Sequence, residues 1–370
     1  MGSINLKHTG SGSAIALSSD GTSLLLDGTA IGGGALNLFK ENYGGSSTLP
    51  NVTGTDAIGI GERSVSAGTA STSIGNSYSG GSGYNTSINI GTNSTSYGAS
   101  GSGSLAGAGQ AKATSNYGVA LGYASQSTGL YGIALGRNSL ASGSGSTAIG
   151  NSSGYTTTAS GFSSFAIGAG SATGNSAIAI GKASSTNVNS VAIGLEAKAY
   201  GRGSLAFNGG AARGYAQIAF STGQYSSTTG QGGIYPFRAS TTDATAIVMT
   251  TQGVSSNGNA TVSADNQLLL QNEGAITFTG TVVCREDATD GDDYAGWEIK
   301  GIIMRGTGAS TTVLGAGIVN PLYHTSALAS ADVTLSADTT NGCLKIEVTG
   351  AAATNLFWYA SVYTSEVVNT

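Results

Sequence analysis

One short phrase recurs through the middle of the chain: Ser, a bulky aliphatic, Ala, a second bulky aliphatic, then Gly. It reads SAIAIG at Ser176 to Gly181 and SVAIG at Ser190 to Gly194. Aligned on its last residue, the phrase closes at Gly59, Gly75, Gly91, Gly107, Gly122, Gly136, Gly150, Gly168, Gly181 and Gly194, with Asn208 and Ser221 in the same slot of two last copies. The steps are 16, 16, 16, 15, 14, 14, 18, 13, 13, 14 and 13 residues, which makes about twelve copies over residues 56 to 221. A fixed period of this length is the mark of a repeat architecture, and it constrains the fold before any other feature is read.

One position before the closing residue stand Ile58, Ile74, Ile90, Leu121, Leu135, Ile149, Ile167, Ile180, Ile193, Phe207 and Phe220, with Ala106 as the exception. Three before it stand Ile88, Val119, Ile133, Phe165, Ile178, Val191, Leu205 and Ile218. Spacing of two places these bulky residues on one face of a short strand. Between them, on the opposite face, come Ala57, Ala120, Ala134, Ala148, Ala166, Ala179, Ala192, Ala206 and Ala219. A unit this short holds two strands and two turns, one coil of a β-solenoid, and it cannot offset its own backbone entropy unless neighbours stack on it. Stacking at about 4.8 Å per coil gives a shaft. The Gly after each strand reads as a turn residue that needs positive φ or has no room for Cβ.

A two-layer coil has one interior and hides one side of each strand. Because the second half of each coil is polar (GYASQSTG, GRNSLASG, GLEAKAYG), the other apolar side calls for partner chains. The small face, Ala120, Ala134, Ala148, Ala166, Ala179, Ala192, Ala206 and Ala219, is therefore expected to face copies of the chain in a homo-oligomer, a homotrimer above all.

SVAIGLEAKAYG (Ser190 to Gly201) and SAIAIGKASSTN (Ser176 to Asn187) resemble the head repeat of trimeric autotransporter adhesins. That resemblance covers about 165 residues and implies a left-handed parallel β-roll associated as a trimer. The coiled-coil stalk and membrane anchor of those adhesins have no counterpart in the pattern of this chain, which shows no heptads.

Composition narrows the function classes. The chain has 370 residues, 61 of them Gly and only 3 Pro, and 9 % are charged, against roughly 25 % charged in ordinary soluble domains. Its net charge of −5 and lack of basic clusters argue against nucleic acid, which is held by neutralising phosphates. No apolar run approaches the ~20 residues of a membrane span, so membrane insertion is not expected. The opening MGSINLKHTGSGSAIALSS has no apolar core of signal-peptide length, so secretion by that route is not expected either.

The flanks differ from the shaft. SAIALSSDGTSLLLDGTAIGGG (Ser13 to Gly34) reads as short strands with tight turns at Asp20-Gly21 and Asp27-Gly28. The opening INLKHTGSGSAIALSSDGTSLLLDGTAI resembles N-terminal segments of virion proteins from tailed bacteriophages, notably those of marine cyanobacteria, which implies that residues 1–55 attach to other virion proteins. An Ω-like connection through Lys40 to Pro50 is expected to lead into the shaft. After Ser221, STGQYSSTTGQGGIYPFRAS reads as a linker over residues 222–240. Beyond it, eight strands are expected at Thr245 to Thr250, Gln267 to Leu270, Ala275 to Arg285, Trp297 to Arg305, Thr311 to Val319, Asp332 to Ser336, Leu344 to Thr349 and Leu356 to Val367, an antiparallel β-sandwich or jelly roll. The phrases AITFTGTVVCRED, GWEIKGIIMRG, VTLSADTTNGCLKIEVTG and TNLFWYASVYTSEV, in that order, resemble C-terminal domains of phage tail fibres.

Catalytic chemistry has little to build on. The two histidines, His8 and His324, stand in no nucleophile-elbow or triad pattern, and no His or Cys spacing suits zinc. No catalytic residue, metal site or cofactor is expected. The acidic run REDATDGDDY (Glu286, Asp287, Asp290, Asp292, Asp293) reads first as a solvated hairpin loop, with a Ca²⁺ or ligand-binding loop and a paired-carboxylate glycosidase as alternatives. Cys284 and Cys343 read as buried free thiols, with a disulfide as the alternative. Trp297 and Trp358 share faces with aliphatics and read as core, whereas Tyr359 and Tyr363 alternate to the other face, at a subunit interface or a receptor surface.

These features together describe an all-β fibre or spike protein of a phage virion, assembled in the host cytoplasm. Its partners are itself, other virion proteins through the N-terminus, and a bacterial surface receptor of carbohydrate or outer-membrane character. Recognition is expected in the loops of the terminal domain, at Asp287, Asp290, Asp292, Asp293, Tyr294, Tyr323 and His324. The competing readings are a decoration protein without receptor binding and a polysaccharide depolymerase.

Overall fold

A computed structural model describes residues 4–6, 15–19, 24–26, 29–30 and 50–369, except 62, 80–85, 92–93, 152–153, 222–223, 226–227, 253, 256–257 and 288–291. The chain is all-β and forms two compact units, Met1–Gly145 and Ser146–Thr370.

In the first unit, Ile4–Leu6, Ile15–Ser19, Leu24–Leu26 and Thr29–Ala30 form a four-stranded antiparallel sheet. The expected turns at Asp20-Gly21 and Asp27-Gly28, His8 and the connection from Lys40 to Leu49 lie outside the described residues. From Asn51 the chain winds into parallel coils whose first strands are Ile58–Ile60, Thr72–Ile74, Ile88–Ile90, Leu105–Gly107, Val119–Leu121 and Ile133–Arg137. The second unit continues the pattern with Thr147–Asn151, Phe165–Gly168, Ile178–Ile180, Val191–Ile193, Leu205–Phe207 and Ile218–Phe220. A β-solenoid is thus the fold of the repeat.

Two copies register differently from the alignment on glycine. Ile60 pairs with Ile74 and Gly107 pairs with Leu121, so Gly61 and Ala108 take the closing slot, both at positive φ. Ala106 then belongs to the small column and Ala57 leaves it, while Gly107 becomes the one residue of the outer column in that copy without a side chain. At Gly181, φ is +87° and a Cβ would stand 3.1 Å from the Gly194 carbonyl oxygen, so the conformation and the spacing of the coils both require glycine there.

The two faces of the repeat strand are the reverse of the expected ones. Ala120, Ala134, Ala148, Ala166, Ala179, Ala192, Ala206 and Ala219 are each 0 % exposed within a single chain. They cannot be the face that meets partner chains, because they fill the coil. The cause is the narrowness of the coil: Ser185 Oγ donates to the Ser190 carbonyl at 2.8 Å across one turn, and Ser190 Oγ donates to Asn187 O at 2.6 Å. Layers within reach of one hydroxyl favour Ala, Ser and Gly, with Asn89 and Thr157 the larger side chains buried among them. Where a serine opens the phrase it is a buried hydroxyl, and it donates to a carbonyl at Ser104 to Gly101 O and at Ser204 to Gly201 O, whereas Ser146 Oγ and Ser164 Oγ are buried without a protein partner. The bulky aliphatics point outward, where Ile58, Ile74, Ile88, Leu121, Ile133, Phe207 and Phe220 are exposed.

The last coil runs into two packed antiparallel sheets. The larger has the order Thr228–Thr241, Leu356–Asn369, Gly274–Glu286, Tyr294–Arg305 and Val313–His324. The smaller centres on Cys343–Thr349, flanked by Asp332–Asp338 on one side and by Ala246–Val248 and Leu268–Leu269 on the other. All eight expected strands are present. The expected linker is a correction: residues 228–241 form a strand paired along its full length with Leu356–Asn369, because Tyr235, Phe237 and Ala239 point into the core. Pro236 is tolerated there since it falls on the far edge between the Ile234–Ile218 pair and the Arg238–Thr250 bridge, where its missing N–H faces no ladder.

The core between the sheets is built on Trp297 and Trp358, stacked at 5.4 Å, with Phe237, Ile276, Phe278, Ile299, Leu344, Ile346 and Val348 around them. Trp358 Nε1 donates to Thr241 Oγ1 at 3.0 Å, satisfying the one polar atom that its burial would otherwise strand. Cys284 and Cys343 are buried free thiols.

Candidate functional site

The hairpin turn between Gly274–Glu286 and Tyr294–Arg305 and the end of Val313–His324 lie at the same end of the larger sheet. Register brings them there: Arg285 pairs with Tyr294, Ala295 with His324 and Gly296 with Tyr323. The rings of Tyr294 and Tyr323 stack at 5.5 Å with 27° between planes. Thr325 N donates to Tyr294 O at 3.1 Å, and His324 Nδ1 lies 3.2 Å from Thr325 O. Glu286 N donates to Asp293 O at 3.0 Å and Asp287 N to Asn355 O at 2.8 Å, which ties the acidic turn back to the sheet. Asp287, Asp292, Tyr294, Tyr323 and His324 are exposed and Asp293 is half-buried; Asp290 lies outside the described residues. The structure therefore gathers residues far apart in sequence into one exposed aromatic and acidic cluster. Among the described residues, no group of three or more His, Cys, Asp or Glu side chains is placed to hold a metal ion.

Sequence reasoning missed a second feature on the solvent side of the same sheet. A groove of about 450 Å³ is lined by Arg238, Val283, Arg285, Phe357 and Tyr359 over a floor that includes Ala239, Cys284 and Trp358. The Arg238 guanidinium carbon sits 5.8 Å from the Tyr359 ring centroid, within cation–π range. Strand alternation could have found Phe357 beside Tyr359, since both face away from Trp358. Arg238 could not be found, because its strand was read as a linker.

A smaller polar cleft of about 150 Å³ is lined by Glu196, Lys198, Tyr200, Arg213, Gln231 and Glu366 among others. Gln231 accepts from Ala211 N at 2.8 Å through Oε1 and donates to Glu366 through Nε2, so it joins the last coils to the terminal sheet. Burial pushes the Glu366 carboxyl above the usual carboxylate range, opposed by Arg213 and the Gln231 amide. Its neighbours hold it as a structural contact.

The YadA head domain repeat matches the chain in two copies, at residues 127–153 and 185–207. The strands described in both stretches belong to coils, so the likeness is to the repeat alone. A search of curated proteins finds no match. Among solved structures, the chain is similar to the tailspike protein gp49 of Acinetobacter baumannii bacteriophage Fri1, a capsular polysaccharide depolymerase, at 10 % identity and TM-score 0.23, over 83 % of this chain and 44 % of that one. It is similar to the tailspike of Acinetobacter phage vB_ApiP_P1 at 11 % identity and TM-score 0.22, over 88 % and 55 %. For the tailspike of Acinetobacter baumannii phage AM24 the values are 10 % and 0.18, over 90 % and 60 %. The chain thus spans about half the length of these tailspikes.

Proposed function

We propose that the chain is a homotrimeric fibre or spike protein of a bacteriophage virion that adheres to a bacterial surface. The observation that carries this reading is the outward aliphatic ladder of the coils. Ile178, Val191, Leu205 and Ile218 are in register, as are Ile180, Ile193, Phe207 and Phe220, and a column of such residues on one side of a soluble chain marks an interaction surface. Another copy of the same stack, related by rotation about an axis along the column, presents matching residues at matching spacing. The homotrimer expected from the sequence is kept, with its interface moved from the alanines to the bulky residues.

Residues 1–55 join the chain to other virion proteins, in keeping with the phage-like opening segment. The cluster of Asp287, Asp292, Asp293, Tyr294, Tyr323 and His324 meets the receptor, a surface carbohydrate or outer-membrane component. Three copies in one fibre and several fibres per particle turn a weak single contact into tight attachment. The protein acts by adhesion, without catalysis or a cofactor.

The test uses the full chain, fluorescently labelled, on a panel of Gram-negative cells, with light scattering to give its mass. A trimer that decorates cells of some strains, and loses them on Tyr294→Ala with Tyr323→Ala, is the expected result. A trimer that binds no strain in its host's range leaves the decoration reading. Release of reducing ends from capsule or lipopolysaccharide makes it a depolymerase.

A further inference from the structure

The tyrosines that alternate away from the terminal core, Tyr359 and Tyr363, fit either a subunit interface or a receptor surface by sequence alone. Register decides between the two. Phe165, Ile178, Val191, Leu205 and Ile218 form one row across the coils, and the row does not stop at the last coil. Ile218 pairs antiparallel with Ile234, Ile234 with Tyr363, and Tyr363 with Thr279. In-register neighbours share a side of a sheet, so the outward side of the coils and the solvent side of the terminal sheet are one face. The inward columns confirm the same parity: Ala206 pairs with Ala219 and Ala219 with Gly233, and the next inward residue of that strand, Tyr235, belongs to the core.

The apolar character carries across with the row. Phe220, Tyr363, Val367, Phe357, Val283 and Tyr359 are 50, 54, 56, 51, 49 and 41 % exposed in the single chain. They run along Leu356–Asn369 and its neighbours, while Thr277, Thr279, Thr281, Glu298 and Lys300 lie further across the sheet, with the exposed Met304, Val313 and Ile318 beyond them. An apolar, aromatic patch with arginine beside it is a common anatomy of a protein–protein interface.

We infer that the solvent side of the terminal sheet, from Phe220 to Phe357, is covered by further copies of this same chain, as a continuation of the contact made by the coils. The inference rests on the homo-oligomeric reading of the ladder. It follows that copies which meet along the coils bring their terminal sheets together, because no change of side intervenes. The groove between Arg238, Phe357 and Tyr359 is then an inter-subunit seam, with each Arg238–Tyr359 pair facing another copy. Receptor contacts are left to the Tyr294–Tyr323 stack, which borders the seam on the side of Arg285.

Hydroxyl-radical footprinting of the full chain, read by mass spectrometry without any receptor, tests this alongside light scattering. Tyr131, 56 % exposed in the single chain against 54 % for Tyr363, is the internal reference. The expected result is an oligomer in which Tyr359, Tyr363 and Phe357 are labelled severalfold less than Tyr131, and in which Tyr363→Glu restores the labelling of Tyr359. An oligomer whose Tyr359 and Tyr363 label as strongly as Tyr131 overturns the inference while leaving the coil contact intact. A monomeric chain overturns the assembly reading itself. Should Tyr363→Glu fail to fold, the footprint of the unaltered chain still decides.

Discussion

Replacing Ala192 by Val separates the two possible assignments of the repeat's faces. Ala192 is fully buried in a single chain, in register between Ala179 and Ala206, beside the turn that Ser185 and Ser190 close with 2.7 to 2.8 Å hydrogen bonds. Two added methyl groups have no void to enter, and overpacking of this kind costs about 1 to 3 kcal/mol. For the unit Ser146–Thr370, a loss of about 2 to 4 °C in Tm per kcal/mol makes the expected drop about 2 to 12 °C. The strain lies inside one chain, so the drop should be equal at two protein concentrations tenfold apart. Ile193→Ser, one residue on and facing outward, should behave oppositely, with a loss that grows on dilution, because in the proposed oligomer its side chain meets another copy. Thermal melts followed by circular dichroism at both concentrations suffice. If Ala192→Val leaves the melt unchanged and shifts only the association equilibrium, the alanines face outward and the packing argument is refuted.

Gly181→Ala should lower Tm by a few degrees, because φ of +87° and a contact of 3.1 Å to the Gly194 oxygen together cost about 1 to 2 kcal/mol; an unchanged melt would mean that the coils are spaced more loosely than described. Glu366 is held protonated more strongly in the folded chain than in the unfolded one, chiefly by burial. Its contribution is therefore full at acid pH and is lost as pH rises from the ordinary carboxylate range through the folded value, and Glu366→Gln should flatten that slope and raise Tm at neutral pH. Melts between pH 4 and pH 8 check the sign. Burial pushes the Cys284 thiol up to about 11 and, with help from Asp338, the Cys343 thiol up to about 12. Iodoacetamide at pH 8 should then modify neither until the chain is unfolded; alkylation of either in the native protein would contradict the described core.

The coils and the eight terminal strands were legible because each rests on a local period that side-chain burial enforces. The errors share a cause as well. In the first copy two glycines stand two residues apart, Gly59 and Gly61, and in the fourth the closing slot is held by Ala108 next to Gly107, so only the pairing of neighbouring strands chooses the register. The strand Thr228–Thr241 carries inward apolar residues in its second half alone, so its Gly, Thr and Pro content masked it. The groove residues Arg238, Val283, Arg285, Phe357 and Tyr359 come from three strands whose order in the sheet is not their order in the chain, and no local pattern brings them together. Which side of an apolar strand is inside is likewise not local, since it depends on how far apart the two layers stand.

That last point governs how a trimeric shaft would hold together. A coil interior of alanine and serine removes little apolar area from water per residue, and hydrophobic stabilisation scales with that area. Much of the area that the repeat could bury lies instead on the outward ladder of Ile, Val, Leu and Phe, which a single chain leaves partly exposed. Hydrogen bonding between coils and the buried serine contacts define the shape of one stack, and in the proposed oligomer the ladder adds its share of driving force only between copies. Folding and assembly are then linked by mass action, and each added coil strengthens both at once. A repeat of this kind tolerates wide variation in its polar turns, while an inward change beyond Ala or Ser, or an outward loss of an aliphatic, weakens the whole shaft.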